Sequence, residues 1–189
     1  MKYTHITVLG NIPIEYDMKT PAKLGDVIAS GICNKTIKFK YAVTNNELEL
    51  QNMINFSHYK DTMLLTNTGL YKKYFFFDNV DYLPIFGDVA SVGLDFSELS
   101  NQNLALLLAI WSDADRIFLC GYDIEDLDER EILIKMMTNH PTTHFYFCRK
   151  PNINKIKLFD HLKNVKVFDY PEFKTCLLYT SPSPRDLST

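Results

Sequence analysis

The chain contains 189 residues, of which 46% are hydrophobic and 23% are charged, and its formal net charge at pH 7 is −3. This length and composition are typical of a single globular domain that buries a core. Because the charge is small and negative, we expect neither nucleic acid nor an anionic membrane as a partner, and no apolar run reaches the roughly 18 residues that span a bilayer.

Six short apolar runs predict β-strands. They cover residues 3–9, 36–43, 62–66, 116–120, 143–148 and 165–168. Most are bounded by turn residues, a pattern typical of strands that are buried on both faces of a parallel sheet. The run at residues 116–120 is the clearest, because its continuous apolar stretch ends directly at Gly121.

Five segments between these strands predict helices. They cover residues 21–30, 46–56, 100–112, 128–138 and 154–164. The first follows Thr20, an N-cap residue, and has Pro21 at the first helical position. The third is apolar around most of its surface, so we expect it to be deeply buried. In the fourth, Asp128 and Glu131 have the spacing of a capping box.

The segment from residue 71 to residue 96 fits neither pattern well. It is rich in aromatic residues and contains turn signals at Pro84 and Gly87. We interpret it as a long irregular excursion between the two halves of the domain, because such excursions are often lids or binding loops. Its aromatic side chains could instead form a contact surface for a partner, or simply fill the core.

Strands that alternate with helices of about ten or more residues imply βαβ units. The predicted fold is therefore α/β, a Rossmann-like, doubly wound and mostly parallel sheet of about six strands with helices on both faces. Residues 1–175 are assigned to this single domain. Residues 176–186, Cys-Leu-Leu-Tyr-Thr-Ser-Pro-Ser-Pro-Arg-Asp, resemble a translated transposon-end sequencing adapter, so we expect residues 176–189 to be an artefactual disordered tail.

The cysteines and histidines show no metal-binding spacing. Cys33, Cys120, Cys148 and Cys176 form no CxxC pair, and none of the five histidines lies in an HExxH or Cys-His arrangement. We expect buried reduced thiols, no metal and no cofactor. The N-terminus also lacks the apolar segment of a signal peptide, so the sequence predicts a cytoplasmic protein.

Ligands of open α/β sheets bind beyond the carboxyl ends of the strands, near the point where the strand order reverses. This rule selects glycine and polar residues in the loops that follow the predicted strands and precede the apolar helix. They are Gly10, Asn11, Asn67, Thr68, Ser91, Asn101, Gln102, Gly121, Tyr122 and Asp123. The first loop has a single glycine and not the dinucleotide fingerprint GxGxxG.

These residue types suit a polar ligand. The backbone at Gly10 could approach a phosphate or a sugar, and Asp123 could accept a hydrogen bond from a ligand hydroxyl. The amides of Asn101 and Gln102 could contact a base or sugar edge while the helix N-terminus favours an anion. Ordinary turns and helix caps are the alternative explanation for each of them. No residue is identified as catalytic.

Residues 91–124 resemble a pattern in the bacterial sialyltransferase-like and motility-associated glycosyltransferase-like proteins. Small residues precede a long apolar helix, which leads into Ala-Asp-Arg-Ile-Phe-Leu-Cys-Gly-Tyr-Asp at residues 114–123. Gly10-Asn11 is similar to the start of that group's nucleotide loop, although Ile12-Pro13 follows and the group's second glycine and its serine are missing; Leu65-Thr66-Asn67 looks like its second asparagine-bearing loop. The resemblance implies a pocket for CMP or a similar nucleotide sugar that uses Asn11, Asn67 and Asp123.

Two hypotheses about function follow. In the first, the domain binds a nucleotide or nucleotide sugar and is related to glycosyltransferases. In the second, it is a non-catalytic Rossmannoid phage or accessory protein that binds a partner or a signalling nucleotide. The absence of a histidine at an obvious catalytic position and the degenerate first loop both favour the second hypothesis.

Overall fold

All eight described strands run parallel in one open sheet, which confirms the α/β class. The computed structural model describes residues 5–11, 25–32, 37–83, 99–149 and 157–169. The strands are β1 (His5–Leu9), β2 (Asp26–Ser30), β3 (Tyr41–Val43), β4 (Met63–Thr66), β5 (Val80–Tyr82), β6 (Arg116–Cys120), β7 (His144–Arg149) and β8 (Val165–Asp169). The predicted count of six strands was therefore too low.

The strand order is β5-β4-β3-β2-β1-β6-β7-β8, so its direction reverses beside β1. Strands β2 to β5 add successively on one side of β1, and β6 to β8 add on the other side. In register, Ile6 of β1 is paired with Asp26 on the first side and with Ile117 on the second. The two halves of the sheet thus meet at β1, which is where open parallel sheets form a crevice at their carboxyl ends.

Four described α-helices connect these strands, and each begins at a polar capping residue. They are α1 (Glu47–Asn55), α2 (Thr68–Tyr74), α3 (Asn101–Trp111) and α4 (Leu127–Asn139). Their N-caps are Asn46, Asn67, Ser100 and Asp126, and each cap side chain accepts a hydrogen bond from a backbone N–H of the first turn. Short 3-10 helices lie at Ser57–Tyr59 and Lys157–Phe159.

Apolar side chains are buried on both faces of the sheet. On one face, α3 and α4 pack over a cluster that includes Val8, Ile28 and Leu119. On the opposite face, Leu50 and Met53 of α1 belong to a second cluster. Residues 104–107 of α3 are at most 1% exposed, which confirms the predicted deep burial of that helix.

The strand β2 contradicts the prediction of a helix over residues 21–30. Residues 26–30 pair with β1 on one side and β3 on the other, and residues 27–30 are buried. The β-branched Val27 and Ile28 suit such a central strand. The proline-based start signal at Pro21 lies outside the described residues. Pairing with two neighbouring strands therefore outweighs the local helix signal at residues 26–30.

Three other predictions need correction. The strand expected at residues 36–43 is limited to Tyr41–Val43, although Ile37 and Phe39 are buried. The excursion predicted over residues 71–96 contains the end of α2 and strand β5, and residues 84–98 lie outside the described part of the chain. The capping box of α4 is wrong, because Asp126 is the N-cap and accepts from the backbone N–H groups of Asp128 and Glu129.

The helix predicted over residues 154–164 is replaced, where the chain is described, by the three-residue 3-10 helix at Lys157–Phe159. The side-chain amide of Asn164 donates to the backbone oxygens of Met137, His140 and Thr143, at 3.0, 3.0 and 3.2 Å. These bonds hold the chain at the start of β8. None of the described helices is long and apolar enough to cross a membrane.

Candidate functional site

The carboxyl ends of β1, β2 and β6 lie side by side at the point where the strand order reverses. Gly10 and Asn11 follow β1, Gly31 follows β2, and Gly121 follows β6. The structure thus brings together the first and the last of the predicted loops, as the crevice rule requires. We call this edge, with the first turns of α1 and α3, the switch edge.

Gly10 and Gly121 are in direct backbone contact. A Cβ atom placed on Gly10 would lie 2.4 Å from the carbonyl oxygen of Gly121 and 2.8 Å from Cα of Tyr122. The N–H of Gly10 donates to the carbonyl oxygen of Cys120 at 2.7 Å. Gly10 therefore permits two loops to touch, and its own N–H is already bonded within the protein.

Asn11 and Ser30 connect the ends of β1 and β2. The hydroxyl of Ser30 donates to Oδ1 of Asn11 at 2.7 Å. Ser30 is buried and Asn11 is exposed, so the amide of Asn11 is fixed at one end and open to solvent at the other. This bond holds the side chain of Asn11 at the carboxyl ends of β1 and β2.

A second polar network crosses the ends of β2 and β3. The hydroxyl of Thr44 and the side-chain amide of Asn101 both donate to Oε2 of Glu49, at 2.7 and 2.8 Å. The backbone N–H of Asn45 donates to Oδ1 of Asn101 at 2.9 Å. The network therefore joins α1 to α3 across the edge of the sheet, and it holds the predicted site residue Asn101 on the protein's own carboxylate.

Gln102 makes a two-point contact with the loop after β6. Its side-chain amide donates to the carbonyl oxygen of Asp123 at 2.9 Å, and its Oε1 accepts from the N–H of Asp123 at 3.1 Å. The hydroxyl of Tyr122 donates to the backbone carbonyl of Gln102 at 2.6 Å. Because Gln102 is only 2% exposed, we assign it and Tyr122 to positioning the loop, and the carboxylate of Asp123 remains half-buried at the edge.

Glu129 of α4 binds the first turn of α3 from the other side. Its Oε2 accepts hydrogen bonds from the hydroxyl of Ser100 and, at 2.5 Å, from the side-chain amide of Asn103. Asn103 is fully buried, and its Oδ1 has no hydrogen-bond partner within the described ranges. Two carboxylates, Glu49 and Glu129, thus flank the N-terminus of α3 and occupy the place where an anion would otherwise be favoured.

Asn67 and Thr68 lie farther from the reversal point. Asn67 follows β4, which is three strands away from β1, or about 14 Å at the usual strand spacing. Its Oδ1 accepts from the N–H of Leu70 at 2.9 Å and caps α2, and Thr68 is the exposed first residue of that helix. Ser91, the remaining predicted site residue, lies outside the described residues.

Replacing Asn67 by alanine is expected to reduce the free energy of unfolding by about 1 kcal/mol, because the N-cap bond of α2 is lost. Asn67→Ser, which retains a capping oxygen, should recover most of that loss. Urea unfolding of the two variants measures the difference. Equal stability of Asn67→Ala and the original protein would contradict the capping role.

The two ionisable side chains that flank Gly121, those of Cys120 and Tyr122, both have raised pKa values. Burial raises the pKa of the Cys120 thiol well above its ordinary value, with a further contribution from its hydrogen bond with Cys148. Burial, and then the charge of Glu129, raises the pKa of the Tyr122 hydroxyl in the same way. In the unfolded chain both groups ionise at ordinary alkaline pH, so their ionisation favours the unfolded state.

The free energy of unfolding is therefore expected to fall as the pH rises from about 8 to about 11, by up to about 1.4 kcal/mol per pH unit for each group above its unfolded pKa. Denaturant unfolding across this range measures the slope. The double variant Cys120→Ala/Tyr122→Phe should show a shallower slope, whereas Tyr82→Phe, at a position that is 39% exposed, should not. Identical slopes in all three proteins would contradict this assignment.

The site also contains residues that the sequence reasoning missed. Ser30, Thr44, Glu49 and Glu129 all take part in the networks described above. Glu49 lies three positions after the N-cap Asn46, whose Oδ1 accepts from the Glu49 N–H at 3.0 Å. That spacing places its side chain in the first turn of a helix at the carboxyl edge, and it was the signal available in the sequence.

No histidine reaches the switch edge. His5 and His144 are the first residues of β1 and β7, and His140 is the C-cap of α4, which places them at the amino ends of the strands. His58 and His161 precede β4 and β8. All five histidines of the chain are among the described residues, so the switch edge contains amide, hydroxyl and carboxylate groups without an imidazole.

A cavity of about 410 Å³ opens at the opposite, amino-terminal edge of the sheet. Its lining includes His5, Asp26, Lys40 and Ser112. The ammonium group of Lys40 is bonded to Asp26 at 2.6 Å, so these two charges neutralise each other. Among the described residues, no cluster of histidine, cysteine or acidic side chains could hold a metal ion at either edge.

The fold and the edge together define an α/β domain with an open, all-parallel sheet and a crevice at the reversal of its strand order. Comparison with protein-family models, with curated proteins and with solved structures finds no significant match to this chain.

Proposed function

We propose that the chain is a Rossmann-like, doubly wound domain that binds a nucleotide or a nucleotide sugar at the switch edge, in the manner of a glycosyltransferase-like protein. The observation that carries this proposal is the reversal of strand order beside β1, with Asn11, Glu49 and Asn101 positioned where the crevice forms. Because a fold alone does not specify an activity, the choice of a nucleotide as the ligand rests on the polar groups of the switch edge.

The polar groups of the switch edge suit the nucleoside and sugar parts of such a ligand better than its phosphates. Hydroxyl, amide and carboxylate groups can donate to and accept from a base, a ribose or a sugar. In this proposal Asn11 contacts the base or ribose and the carboxylate of Asp123 orients a sugar hydroxyl. The carboxylates of Glu49 and Glu129 repel a phosphate at the N-terminus of α3, so the phosphate is assigned to the side of the crevice near Asn11.

A thermal-shift titration with CMP, UMP and NAD tests the proposal. A ligand at about one hundred times its dissociation constant stabilises the folded state by about 2.7 kcal/mol, which corresponds to a rise in melting temperature of roughly 5 to 10 °C for a chain of this size. Asn11→Ala should reduce the shift, and Asn139→Ala, at the exposed end of α4, should not. No shift with any nucleotide up to millimolar concentration would reject the proposal.

A second candidate function is the binding of a partner through the aromatic segment after α2. Phe75 and Phe76 are each 64% exposed, and Tyr82 on the edge strand β5 is 39% exposed. Exposed aromatic side chains that lie close together favour a contact surface. If this surface mediates self-association, sedimentation should show a dimer that Phe75→Ser/Phe76→Ser removes and Leu48→Ser, on α1, does not. A monomer at all concentrations would exclude that form of binding.

A further inference from the structure

Glu49 is held in one orientation by bonds that engage only part of its carboxylate. Its backbone N–H is bonded to the N-cap Asn46, and its Oε2 accepts from Thr44 and Asn101 at 2.7 and 2.8 Å. No hydrogen bond from the described residues reaches Oε1. The side chain is half-buried. One carboxylate oxygen is thus anchored, and the other keeps its full capacity to accept hydrogen bonds.

Gly31 lets this carboxylate lie over the end of β2. A Cβ atom placed on Gly31 would come within 3.1 and 3.2 Å of Oε1 and Oε2 of Glu49, and within 3.3 Å of Nδ2 of Asn101. The φ angle of Gly31 is 65°, in the left-handed region that favours glycine. A larger residue would meet the carboxylate there. The backbone is therefore arranged so that Glu49 reaches the strand next to β1, beside the crevice.

The carboxylate of Glu49 limits which ligand groups can bind next to it. Among the described residues, Glu49 takes part in neither the Lys40–Asp26 nor the Lys73–Glu47 ion pair. A carboxylate repels a phosphate and accepts hydrogen bonds from hydroxyl groups. Two neighbouring hydroxyls on one ring supply a pair of donors, and Oε1 can accept from both because an oxygen of a carboxylate has two lone pairs.

We propose that Glu49 is a specificity-determining residue that accepts hydrogen bonds from the 2′- and 3′-hydroxyls of a ribose, so that the switch edge selects ribonucleotides. This inference rests on the proposed nucleotide-binding function. In it, Asn101 and Thr44 position the carboxylate, Gly31 leaves space for it, and the ribose lies over the carboxyl end of β2. A ligand without these hydroxyls would leave the carboxylate desolvated without a donor, which weakens its binding.

The experiment measures the affinities of CMP and UMP and of their 2′,3′-dideoxy counterparts by calorimetry. The original protein should bind the ribonucleotide about tenfold or more tightly than the dideoxy compound. In Glu49→Gln that ratio should fall toward one, because the ribonucleotide loses its carboxylate acceptor while the affinity for the dideoxy compound does not fall. Glu47→Gln is the matched control, because Glu47 lies in the same first turn but bonds outward to Lys73 and Tyr74, and its ratio should not change.

Glu49→Asp is measured in parallel, because it keeps the charge but shortens the reach over Gly31, and it should lose the preference as well. A ratio near one in the original protein, with binding of both compounds, would overturn the inference and leave the proposed function standing. An unchanged ratio in a folded Glu49→Gln or Glu49→Asp would overturn it too, because Glu49 would then only fasten α1 to α3. If no ribonucleotide binds the original protein, the proposed function fails together with the inference.

Discussion

Gly10→Ala is expected to lower the free energy of unfolding by about 3 kcal/mol, the largest effect of any single methyl group at the switch edge. The added Cβ would lie 2.4 Å from a backbone oxygen of Gly121 and 2.8 Å from Cα of Tyr122. Both neighbours are backbone atoms between a buried strand and a buried tyrosine, so they cannot move aside as a flexible side chain would. Overpacking of a tightly packed site costs about 1 to 3 kcal/mol, and rigid neighbours place this variant at the upper end.

Denaturant unfolding measures this loss, and the melting temperature should fall by roughly 6 to 12 °C. Gly69→Ala is the matched control, because its Cβ would meet only the side-chain oxygen of Asn67, at 3.2 Å, within α2. Its stability should change by less than about 1 kcal/mol, since alanine also favours the helix. Equal effects of the two substitutions would show that the contact between Gly10 and Gly121 is not tight.

Gln102→Met is expected to cost about 2 to 3 kcal/mol, although methionine has nearly the same shape. The substitution leaves two backbone groups of Asp123 without their Gln102 partners. These groups are the carbonyl oxygen, bonded at 2.9 Å, and the N–H, bonded at 3.1 Å. Leaving such groups unpaired costs about 1 to 3 kcal/mol each when they are removed from water. Because Asp123 is only half-buried, water can partly replace the lost partners, and the expected total lies in the lower half of the range for the two groups together. The loop after β6 should also become more mobile, because this contact fixes it to α3.

Hydrogen exchange of the Asp123 amide should therefore accelerate in Gln102→Met, in parallel with the loss of stability measured by urea unfolding. Gln51→Met provides the control, because Gln51 also donates to another residue, the Tyr74 hydroxyl at 2.5 Å, but lies on the exposed side of α1. Its cost should stay below about 1 kcal/mol. If the Asp123 amide remains protected in Gln102→Met, the two-point contact does not hold the loop.

The elements that the sequence predicted well are those whose local signals agree with their surroundings. The apolar run of β6 ends at a glycine with φ of 70°, and both the strand and its end were predicted at residues 116–120. Helix α3 was predicted within one residue at each end, because Ser100 caps an uninterrupted apolar segment. In both cases burial, propensity and boundary signals favour the same structure.

The elements that were missed depend on partners distant in the chain. Strand β2 is short and pairs with β1 and β3 on either side, whereas the helix prediction relied on the local start signal at Thr20 and Pro21. Strand β5 has three residues and pairs only with β4, as an edge strand. Such pairing can override local propensity, and it cannot be predicted from a short segment of sequence because the partner strands are distant in the chain.

The candidate site was predicted in part for the same reason. The rule for open sheets correctly brought Gly10 and Gly121 to one edge, because it depends on topology alone. It could not show that Gln102 would bind the backbone of Asp123, or that Glu49 and Glu129 would converge on α3 from two different helices. A charged residue in the first turn of a helix ordinarily indicates a solvated surface. Only the packed structure shows that Glu49 and Glu129 bond to α3 instead.

Nucleotide binding at the carboxyl edge beside β1 can be located by nuclear magnetic resonance, with CMP or UMP added to the labelled protein. We expect chemical-shift changes at the amides of Gly10, Asn11 and Gly31, on the switch edge, and none at Gly25, which lines the cavity at the opposite edge. Changes confined to Gly25 and its neighbours, or no changes at any amide with either nucleotide, would contradict binding at the switch edge.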